Sequence, residues 1–383
     1  MHRVSGLSVF LAAGLLLGSA GVSAAQRISE ERVREVHRSA LLIDLHNDVT
    51  SDTVKGLDIG LRRSRGHTDL PRLREGGVGA VFFAAYVSRR YVPMGRSAHR
   101  LLEMIDTVRH DIVENHPGDF LLALTADDIE RAHREGKIAA LIGIEGGHAI
   151  EDSLRILRAS YALGVRYMTL THSNTNSWAD SSGDINDPKV RHHGGLTKFG
   201  REVVREMNRL GMMVDVSHVS DETFWDVLEV SRAPVIASHS SCRAISNIAR
   251  NMSDEMIRAL AEKGGVIHIN FGCEFLSQAS ADASPYFNPK ARGTDPRKVP
   301  PATLDDVVAH IDHVVKLAGV EAVGIGSDFD GVSCTPVGLE DVSKFPNLTR
   351  ALLEKGYSPE DIRKIYGGNT LRVMRAVEKA AGR

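Results

Sequence analysis

Cysteine is scarce in this sequence, which has three in 383 residues: Cys242, Cys273 and Cys334. Three cysteines permit at most one internal disulfide, and their wide spacing is not that of a cysteine-based zinc site. Each cysteine lies shortly after a predicted strand. We interpret them as small, semi-buried residues without an assured pairing.

Net charge is also small. Lysine and arginine total 47 residues and aspartate and glutamate 49, which gives a formal net charge of -2. This balance gives no electrostatic reason to expect nucleic acid or an acidic membrane as a partner. Hydrophobic residues make up 42% and charged residues 25% of the chain. Both values are typical of a globular protein.

A long apolar run is missing everywhere except near the start. Basic residues precede a short apolar run over 7–17, and small residues follow it. This pattern predicts a signal peptide over residues 1–25, cut near Ala24 or Ala25, rather than a membrane-spanning anchor. We expect no stable membrane anchor, because no cysteine for lipid attachment lies near the cut. The mature protein is therefore expected to be exported, and to be periplasmic or secreted.

No Pro/Ser-rich linker divides the mature chain, so we expect one domain over residues 26–383. Eight apolar, strand-like runs alternate with helical patterns along it. Eight such units predict a (β/α)8 TIM-type barrel, whose active site lies where the strands end. The alternative is an open, doubly wound sheet. The predicted strands are residues 40–45, 78–87, 138–144, 165–170, 212–216, 234–237, 266–271 and 322–325.

Reactive side chains follow many of these strands, which favours the closed barrel because an open sheet would scatter them. The clearest case is the stretch 212–241. Two apolar runs in it each end in Ser-His, at His218 and His239, with a predicted helix over 221–230 between them. A right-handed crossover makes the two strands parallel neighbours, so both imidazoles reach one edge of the sheet.

Imidazole and carboxylate groups are suitable zinc ligands. His46 and Asp48 end the first strand, and Glu145 ends the third. Together with His218 and His239 they exceed what one ion needs. We therefore predict two zinc ions that share Glu145, one held also by His46 and Asp48 and the other by the two later histidines. Two metals about 3.5–4 Å apart can hold a bridging hydroxide and polarise a substrate oxygen.

The eighth strand ends close to Asp328. A carboxyl group at that position can relay a proton between a metal-activated water and a leaving group. We therefore predict Asp328 to be a catalytic acid/base.

The sequence resembles the membrane dipeptidase (renal dipeptidase) family of zinc metallopeptidases, in particular its exported bacterial members. The resemblance covers nearly the whole mature chain and implies a metallo-dependent hydrolase-like barrel with two zinc ions on the five ligands named above. The matching blocks are IDLHND at 43–48, GIEGGHAI at 143–150, LTHSNTNSWAD at 170–180, GLTKFGREVVREMNRLGMMVDVSHVS at 195–220, APVIASHSS at 233–241 and GIGSDFDG at 324–331.

The resemblance also implies roles that the residues alone do not give firmly. His172 would contact the substrate carbonyl and the tetrahedral intermediate. Arg250 would bind the C-terminal carboxylate of a dipeptide through its guanidinium fork. Phe275 would line the substrate side, where some members carry a tyrosine, so substrate preference could differ. A homodimer is an expectation from the family alone.

Other histidines are not expected to bind metal. Asp306, His310 and His313 have helical spacing, and we expect them on the surface of an outer helix. His148 is expected to support the site without binding an ion. His268 lies within a strand, and we assign it no role.

The expected function is therefore that of an exported two-zinc dipeptidase. One alternative is a metal-dependent lactonase or deacylase on the same barrel, which would not need Arg250. Another is a non-enzymatic periplasmic protein that binds a solute or a metal. Such a protein would not need Asp328 as a proton relay.

Overall fold

The structure is a computed structural model that describes residues 1–2, 28–295, 298 and 300–382. Nearly all of the predicted signal peptide, residues 1–25, lies outside the described residues, and the signal peptide stays a prediction. Among the described residues, no helix is long and apolar enough to cross a membrane.

One parallel sheet curls into a barrel, in the spatial order β1-β2-β4-β5-β6-β7-β8-β9, with β3 pairing beside β4. A bridge between Asn47 and Phe329, which lies just beyond β9, brings the two ends of the sheet together. The predicted TIM-type barrel is confirmed. The strands are β1 (Leu42–Asn47), β2 (Val78–Tyr86), β3 (Phe120–Leu122), β4 (Ile138–Glu145), β5 (Val165–Thr169), β6 (Met213–Asp215), β7 (Ile236–Ser240), β8 (Val266–Ile269) and β9 (Val323–Ile325).

Helices follow the strands and surround the barrel. Two π-helical segments, Thr107–Glu114 and Lys364–Gly368, adjoin α4 and α15. The α-helices are α1 (Glu30–Ser39), α2 (Thr50–Thr53), α3 (Leu70–Glu75), α4 (Ser97–Asp106), α5 (Ala126–Arg134), α6 (Leu154–Ala162), α7 (Lys198–Leu210), α8 (Asp221–Val230), α9 (Asp254–Glu262), α10 (Cys273–Leu276), α11 (Gln278–Ala283), α12 (Leu304–Ala318), α13 (Phe345–Glu354), α14 (Pro359–Arg363) and α15 (Asn369–Ala380).

Local sequence explains the boundaries of the crossover that carries the two Ser-His pairs. Helix α7 ends at Gly211, whose φ of 77° is in the left-handed region that glycine adopts without strain. The chain turns there into β6. Helix α8 begins after Ser220, whose hydroxyl accepts a hydrogen bond from the Thr223 N–H, as the predicted N-cap requires. β6 and β7 are consequently parallel neighbours that end on the same side of the barrel.

Alternating side chains of the strands fill the barrel. Ala139 and Leu141 of β4 belong to one buried apolar cluster together with Phe82 and Tyr167. Because side chains alternate along a strand, Glu145 projects to the same side as these residues, at the end where the strand stops. A larger buried cluster packs between the sheet and the helices.

The strand β3 and the position of His310 differ from expectation. β3 has three residues, too few to show an alternating pattern in the sequence. The prediction that His310 lies on the surface is wrong, because its side chain is fully buried. Its Nδ1 accepts from the Cys242 N–H and its Nε2 donates to the Leu276 carbonyl, both at 3.0 Å. Burial lowers the pKa of His310 to about 4, so it is a neutral residue that joins loops.

The three cysteines form one disulfide, which is the maximum they permit. Cys273 at the start of α10 is bonded to Cys334 in the loop after β9, while Cys242 is free and buried. The bond therefore joins two loops at the end of the barrel where the strands stop.

Candidate metal centre and active site

Five predicted metal ligands meet at one end of the barrel. His46 belongs to β1, Glu145 ends β4, and His239 lies in β7. Asp48 directly follows β1, and His218 lies three residues after the end of β6. Each of the five is at most 8% exposed. Parallel strands therefore bring together residues that are up to about two hundred positions apart in the chain.

The carboxylate of Glu145 is central to this group. Its Oε2 lies 3.7 Å from His46 Nε2. Its Oε1 lies 3.0 Å from His218 Nε2 and 3.5 Å from His239 Nε2. His46 Nε2 is also 3.2 Å from Asp48 Oδ2. One carboxylate thus presents its two oxygens to different histidines.

The possible ligand groups overlap more than the sequence-based assignment supposed. His239 stacks on His46, with 3.8 Å between ring centroids, so it lies close to both halves of the cluster. Groups whose ligand atoms lie within 4.8 Å of one another are His46–Glu145–His239, Glu145–His172–His218 and His46–Asp48–Asp328. His172 and Asp328 therefore lie at the edge of the same cluster.

The environment of the imidazoles fits a cation. His46 Nδ1 lies 2.7 Å from the Tyr167 hydroxyl, and His239 Nδ1 lies 2.8 Å from Ser238 Oγ. These contacts leave Nε2 directed at the cluster, where His46 Nε2 faces the carboxylates of Asp48 and Glu145. Burial lowers the pKa of His218 and His239 well below the usual range, which favours the neutral form that binds metal.

The same buried environment also determines the charge of the Glu145 carboxylate, which lies among these histidines. Burial alone would raise the pKa of Glu145, but His46 and His172 bring it well below its usual value. Burial alone would lower the pKa of His46, but nearby Tyr167, Asp48 and Glu145 outweigh it and raise that pKa well above its usual value. An ionised carboxylate beside imidazole side chains is a suitable donor set for zinc.

Asp328 lies beside the cluster in an unusual backbone conformation, with a φ of 61°. Asn270 donates a hydrogen bond to its Oδ2 at 2.7 Å, and its own N–H donates to the His46 carbonyl at 3.0 Å. Burial raises the pKa of Asp328 well above its usual value. A Cβ at Gly331 would crowd the carboxylates of Asp328 and Asp48, so a larger residue there would displace them. Strained backbone of this kind is common at functional sites.

His172 follows β5 and faces the cluster from its open side. Its Nε2 lies 3.6 Å from Glu145 Oε1. Its ring lies between His218 and Tyr86, at centroid distances of 4.4 and 4.8 Å. Burial lowers the pKa of His172, so the ring is neutral and able to donate one hydrogen bond.

Arg250 is a buried cation that forms no ion pair with any described residue. It is 5% exposed. Its guanidinium donates to Ser240 Oγ at 3.2 Å and to the His239 carbonyl at 3.1 Å, while its buried Nε has no partner. It lies 5.1 Å from the centre of the Phe275 ring. A buried guanidinium with neutral partners and a free donor is suited to bind an anion.

These groups line a cleft of about 610 Å³, which is within the usual size range of small-molecule sites. The sequence analysis did not identify Tyr86, although it ends β2 and the strand-end rule could have found it. It also missed Ser173 and Tyr286, which lie in loops where no periodic pattern indicates a site. Other lining residues include Asp48, Glu145, His172, His218, Arg250, Glu274, Phe275, Phe287, Asp328 and Asp330.

Comparison with known families gives one match over almost all of the described chain. The model of a family described as membrane dipeptidase (Peptidase family M19) matches residues 30–383.

Solved structures give matches of similar extent. The probable dipeptidase PvdM from Pseudomonas aeruginosa is 27% identical with a TM-score of 0.80, and the match covers 92% of this chain and 98% of that one. A metallopeptidase from Rhodobacter sphaeroides, solved with a phosphinate mimic of the dipeptide L-Ala-D-Ala, is 27% identical with a TM-score of 0.76. That match covers 88% of this chain and 99% of the other.

Proposed function

The chain belongs to the membrane dipeptidase family, and on this premise we propose that it is a two-zinc dipeptidase that hydrolyses the peptide bond of small dipeptides. The family and its solved relatives support a metal-dependent dipeptidase. The observation that carries the proposal is the position of Glu145, which lies between two sets of histidines in the same cleft as the unpaired Arg250.

His46, Asp48, Glu145, His218 and His239 would hold two zinc ions, with Glu145 shared between them. Two zinc ions held there would supply hydroxide near neutral pH and polarise a substrate carbonyl. The approach of His46 Nε2 to two carboxylates and the lowered pKa values of His218 and His239 support this assignment.

Arg250 would bind the C-terminal carboxylate of the substrate. Its burial supports this role, because a guanidinium away from water binds a carboxylate more strongly than an exposed one does. Phe275, which is 8% exposed, packs beside the guanidinium and would form an apolar wall there. Its ring has no hydroxyl and can donate no hydrogen bond to the substrate.

His172 and Asp328 would act on the reacting atoms. A hydrogen bond from the neutral His172 ring would stabilise the negative charge that develops on the carbonyl oxygen. Asp328 would hold a proton on its carboxyl group and give it to the leaving amine. The raised pKa of this carboxyl supports the role, because burial favours the protonated form that a general acid needs.

We propose in addition that the mature chain works outside the cytosol. The Cys273–Cys334 disulfide supports export, because disulfides persist mainly in oxidising compartments. Cleavage after residues 24 or 25 and assembly as a homodimer stay predictions.

Hydrolysis by chelator-treated protein, before and after zinc is restored, tests the proposal. The panel contains L,L and L,D dipeptides, N-acyl amino acids and lactones. We expect dipeptides to be cleaved only after zinc is restored. Cleavage of lactones or N-acyl amino acids alone would contradict the proposed substrate, and zinc binding without any turnover would favour a binding protein.

A further inference from the structure

One wall of the cleft comes from the loop that follows β8. Phe275 of α10 and the pair Tyr286 and Phe287 beyond α11 line the cavity from this loop. The hydroxyl of Tyr286 donates a hydrogen bond of 2.5 Å to Ser173 Oγ. We call this contact the Tyr286–Ser173 bridge.

The bridge spans the mouth of the barrel. Ser173 belongs to the loop after β5, whereas Tyr286 belongs to the loop after β8. β6 and β7 separate these two strands in the sheet, so the bonded loops are not adjacent. Because Ser173 directly follows His172, the bridge joins the loop that carries this catalytic candidate to the opposite wall.

A row of rings connects the bridge to the floor of the cleft. The Arg250 guanidinium lies 5.1 Å from the Phe275 ring centre. Phe275 meets Phe287 edge to face at 5.6 Å, and Phe287 meets Tyr286 in the same way at 4.8 Å. Edge-to-face pairs at such distances are favourable contacts. The Tyr286 ring therefore belongs to the same aromatic wall that contacts the Arg250 guanidinium.

This arrangement limits where a longer peptide could go. Arg250 is 5% exposed and lies against Phe275, so its guanidinium is a buried part of the cleft wall. A peptide longer than two residues would have to extend toward the mouth of the cleft, where Tyr286 is hydrogen-bonded to Ser173.

We propose that the Tyr286–Ser173 bridge restricts the cleft to peptides of two residues, which makes Tyr286 a specificity-determining residue. This inference rests on the proposed dipeptidase function and names a further determinant of its substrate class. Tyr286 acts by excluding length and not by taking part in hydrolysis.

The test compares kcat/KM for L-Ala-L-Ala and L-Ala-L-Ala-L-Ala in zinc-loaded protein. We expect Tyr286→Ala to raise the tripeptide-to-dipeptide ratio about tenfold or more, mainly through a lower KM for the tripeptide. Tyr286→Phe and Ser173→Ala should each raise the ratio by a smaller, similar factor, because each removes the same hydrogen bond. The double variant with Tyr286→Phe and Ser173→Ala should then have a ratio no higher than that of either single variant.

Tyr91→Phe is the matched control. Tyr91 also bonds through its hydroxyl, to Arg90, but does not line the cleft, so its ratio should equal that of the wild type. Tyr286 is 63% exposed, so its truncation should leave the melting temperature and zinc content unchanged. A ratio within twofold of the wild type in Tyr286→Ala, or in both Tyr286→Phe and Ser173→Ala, would overturn the inference. A wild type that cleaves neither peptide would overturn the proposed function and this inference with it.

Discussion

Replacing Arg250 with methionine should abolish recognition of a substrate carboxylate while the fold is kept. Methionine is unbranched and fills irregular space, so it can occupy the space of the aliphatic part of the Arg250 side chain. The change removes two hydrogen bonds to neutral acceptors, each worth about 1–3 kcal/mol. It also removes a buried charge that pairs with no described counter-ion. Removing that charge should stabilise the folded state and offset part of the loss. We therefore expect the free energy of unfolding to change by no more than about 2 kcal/mol.

The effect on catalysis should be larger. Truncating one partner of a buried, hydrogen-bonded charge pair costs about 2–5 kcal/mol. A loss of about 3 kcal/mol lowers kcat/KM for L-Ala-L-Ala more than a hundredfold. Removing the carboxylate from the substrate, as in L-Ala-L-Ala amide, should cost the wild type the same factor, because it breaks the same contact from the other side.

The assay measures kcat/KM for both substrates with both proteins. Arg250→Met with the free acid, and the wild type with the amide, should each show the full loss of kcat/KM. Arg250→Met should then show almost no preference between the acid and the amide. Arg243→Met is the matched control, because Arg243 lies in the same loop but pairs with Asp221 and does not line the cleft. It should keep the wild-type preference. An Arg250→Met enzyme that still prefers the free acid would show that the carboxylate binds elsewhere.

Three further predictions follow from other contacts. Tyr167→Phe removes the partner of His46 Nδ1 and should weaken zinc affinity about tenfold or more, measured by competition with a chelator; unchanged affinity would contradict a supporting role. Replacing Cys273 and Cys334 with serine should lower the free energy of unfolding by about 4 kcal/mol, because the bond closes a loop across a separation of 61 residues; urea unfolding measures this, and a loss below about 1 kcal/mol would contradict it. The pKa of His310 is lowered to about 4, so its contribution to stability is complete above its unfolded value near 6.5 and is lost as the pH falls toward 4. Between about pH 7 and about pH 4.5 the metal-free wild type should lose roughly 2 kcal/mol more than His310→Gln, and equal losses would refute this.

The sequence predicted the barrel because most of the parallel strands are apolar runs with a polar residue at the end. The same rule brings His46, Glu145 and His239 together, since strand order decides which ends are neighbours. It could not show that His239 stacks on His46, because ring orientation depends on contacts such as the one with Ser238. The burial of His310 was missed because it depends on distant loops and not on helical periodicity.

Residues in long loops were the hardest to predict. Tyr286 meets Ser173 only after two loops cross the mouth of the barrel, and nothing in their local sequence indicates that contact. Likewise, the spacing of three cysteines cannot decide which two pair, because Cys273 and Cys334 come close only when β8 and β9 are neighbours.

Anomalous X-ray scattering at the zinc edge, from crystals of the zinc-loaded protein, tests the central claim most directly. We predict two peaks about 3.5–4 Å apart, one on each side of the Glu145 carboxylate and both in contact with histidines of the barrel mouth. A single peak, or zinc bound away from Glu145, would contradict the two-metal site on which the proposed function depends.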